Sequence, residues 1–293
     1  MKFNFIFYEA SFMSTRAAIF LAVILALAFN LAATAQTAGS QSTPAIQDNS
    51  FLVEEAYNQE YGVVQHINSF TKFWESDDWV YTFTQEWPAP GDARHQISYT
   101  LAGVHMGDTT SSGSGDVLLN YRYQLIGNGD TRLAFAPRLS VIFPTGNSNF
   151  GRGYGGYGFQ TNLPASIVVV PKLVTHWNAG ATFIPHDKDL AGNNAFSSGF
   201  NLGQSFIWLV HPRFNPMLET IYVAQETAVA KDKTEWNRGM YVSPGFRWAY
   251  NFKNGLQIVP GVAVPIGVGP SSGEKALLLY LSLEHPFRKI PKQ

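Results

Sequence analysis

Residues 115–146 read GDVLLNYRYQLIGNGDTRLAFAPRLSVIFPTG, and this stretch decides the fold. From Val117 the apolar residues fall at every second position: Val117, Leu119, Tyr121, Tyr123 and Leu125. Leu118, Asn120, Arg122 and Gln124 sit between them. The alternation resumes with Leu133, Phe135, Pro137, Leu139, Val141 and Phe143, interleaved with Arg132, Ala134, Ala136, Arg138 and Ser140. A period of two places each set on its own face of a sheet. An apolar face opposite an arginine-bearing face suits a soluble sandwich as well as a barrel. Strands of roughly ten residues, repeated along the chain, decide for a transmembrane β-barrel with lipid outside and a polar lumen.

The turn tests the register. For the two apolar sets to share a face, residues paired across the hairpin must have the same parity. A three-residue loop, Gly127-Asn128-Gly129, satisfies this, with Gly129 taking the left-handed conformation. Lys253-Asn254-Gly255 passes the same test, putting Phe252 and Leu256 on one face and Asn251 and Gln257 on the other.

Working outward, the N-terminus carries Arg16, an apolar run from Ala17 to Ala33, and Ala33-Thr34-Ala35. This order predicts a secretory signal peptide over 1–35, cut after Ala35, with Met13 a better start than Met1. A membrane anchor is the competing reading, and the shortness of the run disfavours it. Residues 36–61 are expected as a flexible, periplasmic leader, ending in a stretch dense in glutamate (Glu54, Glu55, Glu60) that precedes the first strand near Gly62. No other segment has the length and apolarity of a spanning helix, so a membrane-embedded chain must close into a barrel.

Twelve strands are predicted in residues 62–287: Gly62–Phe73, Trp79–Trp87, Arg94–Met106, Asp116–Ile126, Thr131–Phe143, Tyr157–Val170, Leu173–Ile184, Phe196–Leu209, Asn215–Gln225, Met240–Phe252, Leu256–Val264 and Lys275–Glu284. The expected architecture is an all-β, antiparallel up-and-down barrel with both termini periplasmic. Alternate connections support it. Pro88–Ala93, Gly127–Asp130, Pro171–Lys172, Val210–Phe214 and Lys253–Gly255 are short. Gly107–Gly115, Pro144–Gly156, Pro185–Ala195 and Glu226–Gly239 are long, Pro265–Glu274 is intermediate, and only Trp74–Asp78 breaks the pattern. Two aromatic bands are expected at the interfaces. One holds Trp87, Trp177, Trp208, Phe252 and Phe287, and the other Trp74, Trp79, Phe143, Tyr157, Phe183, Phe196 and Tyr241. In the last strand Leu277, Leu279, Leu281 and Leu283 should face lipid. A basic tail, 288–293, extends past the late aromatic.

The 293-residue chain has no cysteine, which excludes disulfides, thiolate zinc sites and a thiol nucleophile. A net charge of −1 points to no nucleic acid. Gly151-Arg152-Gly153-Tyr154-Gly155-Gly156 matches a dinucleotide fingerprint literally, but no helix start follows it, so a flexible surface loop is expected. His66 and Ser69, three apart on a strand, face opposite ways and make no hydrolase pair. No enzyme activity and no cofactor are expected. His186-Asp187-Lys188-Asp189 reads as a solvated loop, with calcium as the alternative. By parity Glu86, Arg122, Arg132, Arg138, Glu219, Arg247 and Glu284 should line the lumen, either closing it with salt bridges or lining a pore and setting its selectivity.

Gly115-Asp116-Val117, Tyr121-Arg122-Tyr123, and Pro137-Arg138-Leu139 through Phe143-Pro144-Thr145-Gly146 resemble the outer-membrane transporters of the MetA-pathway of phenol degradation family, as does Glu54–Ile67. The resemblance implies a barrel in a Gram-negative-type outer membrane, inserted by the barrel-assembly machinery, and passage of small organic compounds through it. It brings no catalytic residues. A non-transporting, structural or surface-binding barrel with a plugged lumen remains the alternative.

Overall fold

The computed structural model describes residues 50–90 and 92–287. The expected signal peptide, Met13 start, first part of the leader and basic tail lie outside the described residues. Every strand pairing is antiparallel, and the first strand pairs with the last, closing a twelve-strand barrel. The strands are β1 (Val63–Phe73), β2 (Trp79–Pro88), β3 (His95–Met106), β4 (Ser111–Ser114 with Val117–Tyr123), β5 (Leu133–Phe135 with Arg138–Phe143) and β6 (Gly158–Asn162 with Ala165–Val170). They continue with β7 (Leu173–Lys188), β8 (Asn194–Trp208), β9 (Phe214–Ala230), β10 (Lys233–Trp248 with Tyr250–Asn251), β11 (Gln257–Ala263 with Ile266–Gly267) and β12 (Ala276–Pro286). The only helical elements among the described residues are two 3₁₀ turns, Ser148–Phe150 and Gly269–Ser271.

Alternation sorts the side chains as the period-two pattern requires. Leu119, Tyr121 and Leu139 are exposed on the outer face, while Asn120, Arg122 and Ser140 are buried within. In β12, Leu279 and Leu281 face out, while Leu278, Tyr280 and Ser282 are buried. A bilayer has no water to solvate a charge on that outer face. Leu281→Arg, in mid-strand, is therefore expected to cost about 2–4 kcal/mol, read as a shift in the unfolding midpoint in lipid bilayers. A change near zero would place this face out of the membrane core.

The two turns tested above diverge. Lys253-Asn254-Gly255 is the expected three-residue loop: Asn251 pairs with Gln257, the Phe252 N–H donates to the Leu256 carbonyl at 2.8 Å, and Gly255 has φ +89°. The loop at Gly127-Asn128-Gly129 is a correction. Arg122 pairs with Arg138, Ile126 bridges to Phe135, and Gly127 rather than Gly129 is left-handed, at φ +58°. The hairpin opens into a longer loop because Leu133–Phe135 pairs across to Ala165–Ile167, and Thr131 closes a local turn on Asn128. Parity survives the slip: Leu119 still faces Val141 and Tyr121 still faces Leu139.

Two expected long loops are also corrected. Pro185–Ala195 and Glu226–Gly239 are mostly strand, because β7–β8 and β9–β10 run on as tall hairpins. The latter turns over Lys231 and Asp232, the aspartate taking φ +55°. Tyr241 leaves the outer aromatic band. It is 3% exposed, faces inward and hydrogen-bonds Glu274. Trp208, Phe252, Phe287, Trp74, Tyr157, Phe183 and Phe196 are exposed as band residues should be.

Candidate functional site: an occupied lumen

The lumen holds the chain's own N-terminal segment. Residues 50–61, expected outside the barrel, run across its interior at the end that carries residues 63 and 286. A non-repetitive segment cannot satisfy its own backbone groups when buried, so the wall must supply partners. Ser50 Oγ donates to Ser205 Oγ at 2.9 Å. Glu219 on β9 accepts the N–H groups of Leu52 and Val53 at 2.8 and 3.1 Å. Asn178 on β7 acts both ways, accepting the Glu54 N–H and donating to its carbonyl, each at 2.8 Å. Gln124 accepts from Asn58 N–H at 2.9 Å and donates to the Ala56 carbonyl at 2.8 Å. Gln96 on β3 accepts the Gln59 N–H at 2.7 Å.

Apolar contacts hold the same segment. Phe51 packs among Ile207, Met217, Ala263, Leu278 and Tyr280, with its ring centroid 5.0 Å from that of Tyr280. Gly261 makes the room: a Cβ there would lie 2.4 Å from the Phe51 ring. Ala56 is sealed between Ala134 and Ala136.

Two arginines clamp the segment. Arg122 on β4 donates to the carbonyls of Glu55 and Tyr57 at 3.2 and 2.6 Å and to Asn58 Oδ1 at 3.1 Å. Its guanidinium also lies 3.5 Å from Glu86, which Gln96 bonds at 2.7 Å. Arg138 on β5 grips the Glu54 carboxylate through two nitrogens, at 2.7 and 3.1 Å. Its remaining donors go to Asn120 and Gln160, both at 3.0 Å, and to Ser140. Charge-assisted, two-point contacts of this kind are the stronger class of hydrogen bond.

The expected lumen residues are therefore distributed as follows. Glu86, Arg122, Glu219 and Arg247 are deeply buried in the interior, and Arg138 stands beside them. Glu284 is half-buried on the same face of β12 as Ser282, opposite Gln65 of β1. Arg132 is exposed beyond the start of β5, where its Nε donates to the Val168 carbonyl at 3.3 Å. Charge alone missed Gln96, Gln124, Ser166 and Asn178. The inward parity that selected the arginines also selects these residues once neutral polar side chains are counted.

Ser166 and His176, on neighbouring strands, lie 2.7 Å apart, the spacing of a nucleophile and its base. Both are buried, Ser166 Oγ also accepts the Ala56 N–H at 2.7 Å, and the Tyr57 ring meets His176 edge-on. The pair holds the segment and is closed to a substrate. Asp189, a calcium candidate from the sequence, accepts the N–H groups of Ala191 and Asn193 at 2.9 and 2.8 Å, and Asp187 accepts that of Ala228 at 2.8 Å. Both carboxylates are thus buried rather than solvated as expected, Asp189 closing its own turn and Asp187 tying β7 to β9.

Above the segment lies a cavity of about 510 Å³. Leu52 and Glu54 form its floor, and Gly151 to Tyr154 overhang it from the opposite end. This glycine-rich run is not the free surface loop expected from sequence. Asp116 pins it, accepting the Gly146 and Tyr154 N–H groups at 2.9 and 2.8 Å, while Thr145 donates to the Gly115 carbonyl at 3.0 Å. Gly153 must be glycine here, since a Cβ would lie 2.4 Å from the Asp116 carboxylate. Thus Gly115-Asp116 and Pro144-Thr145-Gly146, far apart in sequence, build one latch.

A closed antiparallel barrel with an apolar outer wall and a polar interior filled by its own N-terminal segment defines the class of outer-membrane β-barrels. Residues 42–276 match the sequence profile of the family described as the MetA-pathway of phenol degradation, and the chain belongs to that family. Its fold is shared with an outer-membrane channel from Pseudomonas putida F1 at a TM-score of 0.57 and 13% identity, over 78% of this chain and 97% of that one. The NanC porin aligns with a TM-score of 0.51 and 10% identity, over 74% of this chain and 98% of the porin. No curated protein sequence matches the chain significantly.

Proposed function

We propose that this chain is an outer-membrane channel for small organic solutes, with its termini in the periplasm and its resting lumen narrowed by residues 50–61. The observation that carries the reading is the lumen itself, a polar interior that keeps a cavity of about 510 Å³ above a segment tied only by non-covalent bonds. A barrel built only as a scaffold has no need of such space. The family's description and a structural relative described as an outer-membrane channel support the same reading. Export by a cleaved signal peptide over residues 1–35 and insertion by the barrel-assembly machinery belong to this proposal, as does a non-enzymatic role. The lumen charges set selectivity in it.

The occupied lumen favours a second reading, a non-transporting barrel with a permanent plug. Single-channel recording on the refolded protein in a planar bilayer separates the two. The channel reading expects discrete conductance steps. Arg138→Glu, which replaces a lumen cation and repels Glu54, should then shift selectivity toward cations and enlarge the steps. A heat-modifiable, folded barrel that never conducts, even without residues 36–61, would establish the permanent plug.

A further inference from the structure

The cavity has a chemistry of its own. Its side walls carry Val104, Ile221 and Val223, and its polar groups divide into spent and unspent. Arg138 has its guanidinium committed to Glu54, Asn120, Ser140 and Gln160. Asp116 has both oxygens committed to backbone N–H groups. Arg152 differs. Its Nε is buried and has no hydrogen-bond partner among the described residues, and its guanidinium packs between the Phe150 ring, 5.6 Å from the centroid, and the bare backbone of Gly113 on β4, where a Cβ would collide with Nη1. Asn162, 4% exposed on the same cavity, likewise leaves Oδ1 without a partner. Buried polar groups without partners are uncommon and costly. Here they flank a void large enough for a small molecule.

We infer that this cavity is a binding chamber for a small amphipathic monocarboxylate, with Arg152 bonding the carboxylate and Val104, Ile221 and Val223 covering the apolar body. The inference rests on the channel reading and names the solute class for it. A guanidinium suits this task because its fork of donors matches the two carboxylate oxygens. The donor count of the cavity agrees. Its two carboxylates and two guanidiniums balance in charge, but Glu54 and Arg138 are spent on each other and the Asp116 oxygens on backbone N–H groups, so the group with donors still unspent is Arg152. The Asn162 oxygen offers an acceptor for a hydroxyl or amide elsewhere on the solute. Because Arg152 lies on the overhanging run that Asp116 pins, the bound carboxylate would touch the latch itself.

The test uses three isosteric probes, benzoate, benzamide and benzamidinium, titrated against the folded full barrel in detergent with binding read by ligand-observed NMR. Benzoate should bind best, and Arg152→Gln should weaken it roughly 10-fold or more, the worth of one charge-assisted contact, while leaving benzamide unchanged. Ile221→Trp, which fills the cavity from the barrel wall, should abolish binding of all three probes. Heat-modifiable migration verifies that each variant is folded. Equal binding of the three probes, preference for benzamidinium, or benzoate binding untouched by Arg152→Gln would overturn the inference. Conductance of the same preparations separates the two proposals. Conduction without benzoate binding defeats the chamber alone, and benzoate binding without conduction defeats the channel alone.

Discussion

Deleting residues 36–61 should raise single-channel conductance severalfold and leave the barrel folded. The segment's partners lie all around the wall, polar ones on β3 through β9 and, through Phe51, apolar ones on β11 and β12, so it bridges the lumen and does not line one side of it. Its loss removes the Phe51 and Ala56 side chains and the backbone between them from the cross-section. The wall groups left behind, including Glu219, Asn178 and Gln124, would then meet water, which can satisfy them. The barrel's own ladder is continuous without the segment, since β1 pairs directly with β12. Heat-modifiable migration should therefore persist. Unchanged conductance would mean that the constriction lies at the overhanging Gly151–Tyr154 run and not at the segment.

The second large effect is expected at Arg122. This side chain is 2% exposed, yet it serves two segment carbonyls, Asn58 and Glu86. Arg122→Ala strands a buried carboxylate beside three acceptors that lose their donor. Removing one partner of a buried ion pair costs about 3–5 kcal/mol, because the remaining charge is left uncompensated. The unfolding free energy measured by urea titration in lipid vesicles should fall by about that amount. Pairing the change with Glu86→Gln should recover part of the loss, because a neutral amide keeps a hydrogen-bonding role toward Gln96 without the stranded charge. Strict additivity of the two substitutions would show that the pair is not coupled. Conductance should also rise in Arg122→Ala, toward that of the deletion variant, because the segment loses its largest single clamp.

These expectations also mark how much was legible beforehand. The period-two alternation of Val117 to Phe143 and of Leu277 to Leu283 is a local property, forced by the geometry of an extended chain. It was enough to place twelve strands, their outward faces and the barrel class. The Lys253-Asn254-Gly255 turn was legible for the same reason, since three residues and one left-handed glycine determine it. Hairpin register at Gly127 was not, because Leu133–Phe135 pairs with Ala165–Ile167, a partner that exists only once β6 has returned alongside. Tyr241 belongs inside by that same alternation, since it lies six residues from the inward Arg247 on β10; its place near a strand end suggests the aromatic band only if parity is ignored, and Glu274 supplies its partner there.

By itself, then, the sequence determined the strands, the polarity of the two faces and most of the inward charges, Arg132 excepted, through a periodicity each strand carries alone. Only the tertiary structure decided what those charges are for. Residues 50–61 have no periodicity to read, and the wall partners named above lie 37 to 167 positions away, as with Gln59 and Gln96 or Leu52 and Glu219. Such contacts come into being when the barrel closes and confines a segment that cannot pair with itself. The Asp116 latch and the cavity beneath it arise in the same way, from closure that brings Gly115-Asp116 against Pro144–Gly146 and Tyr154.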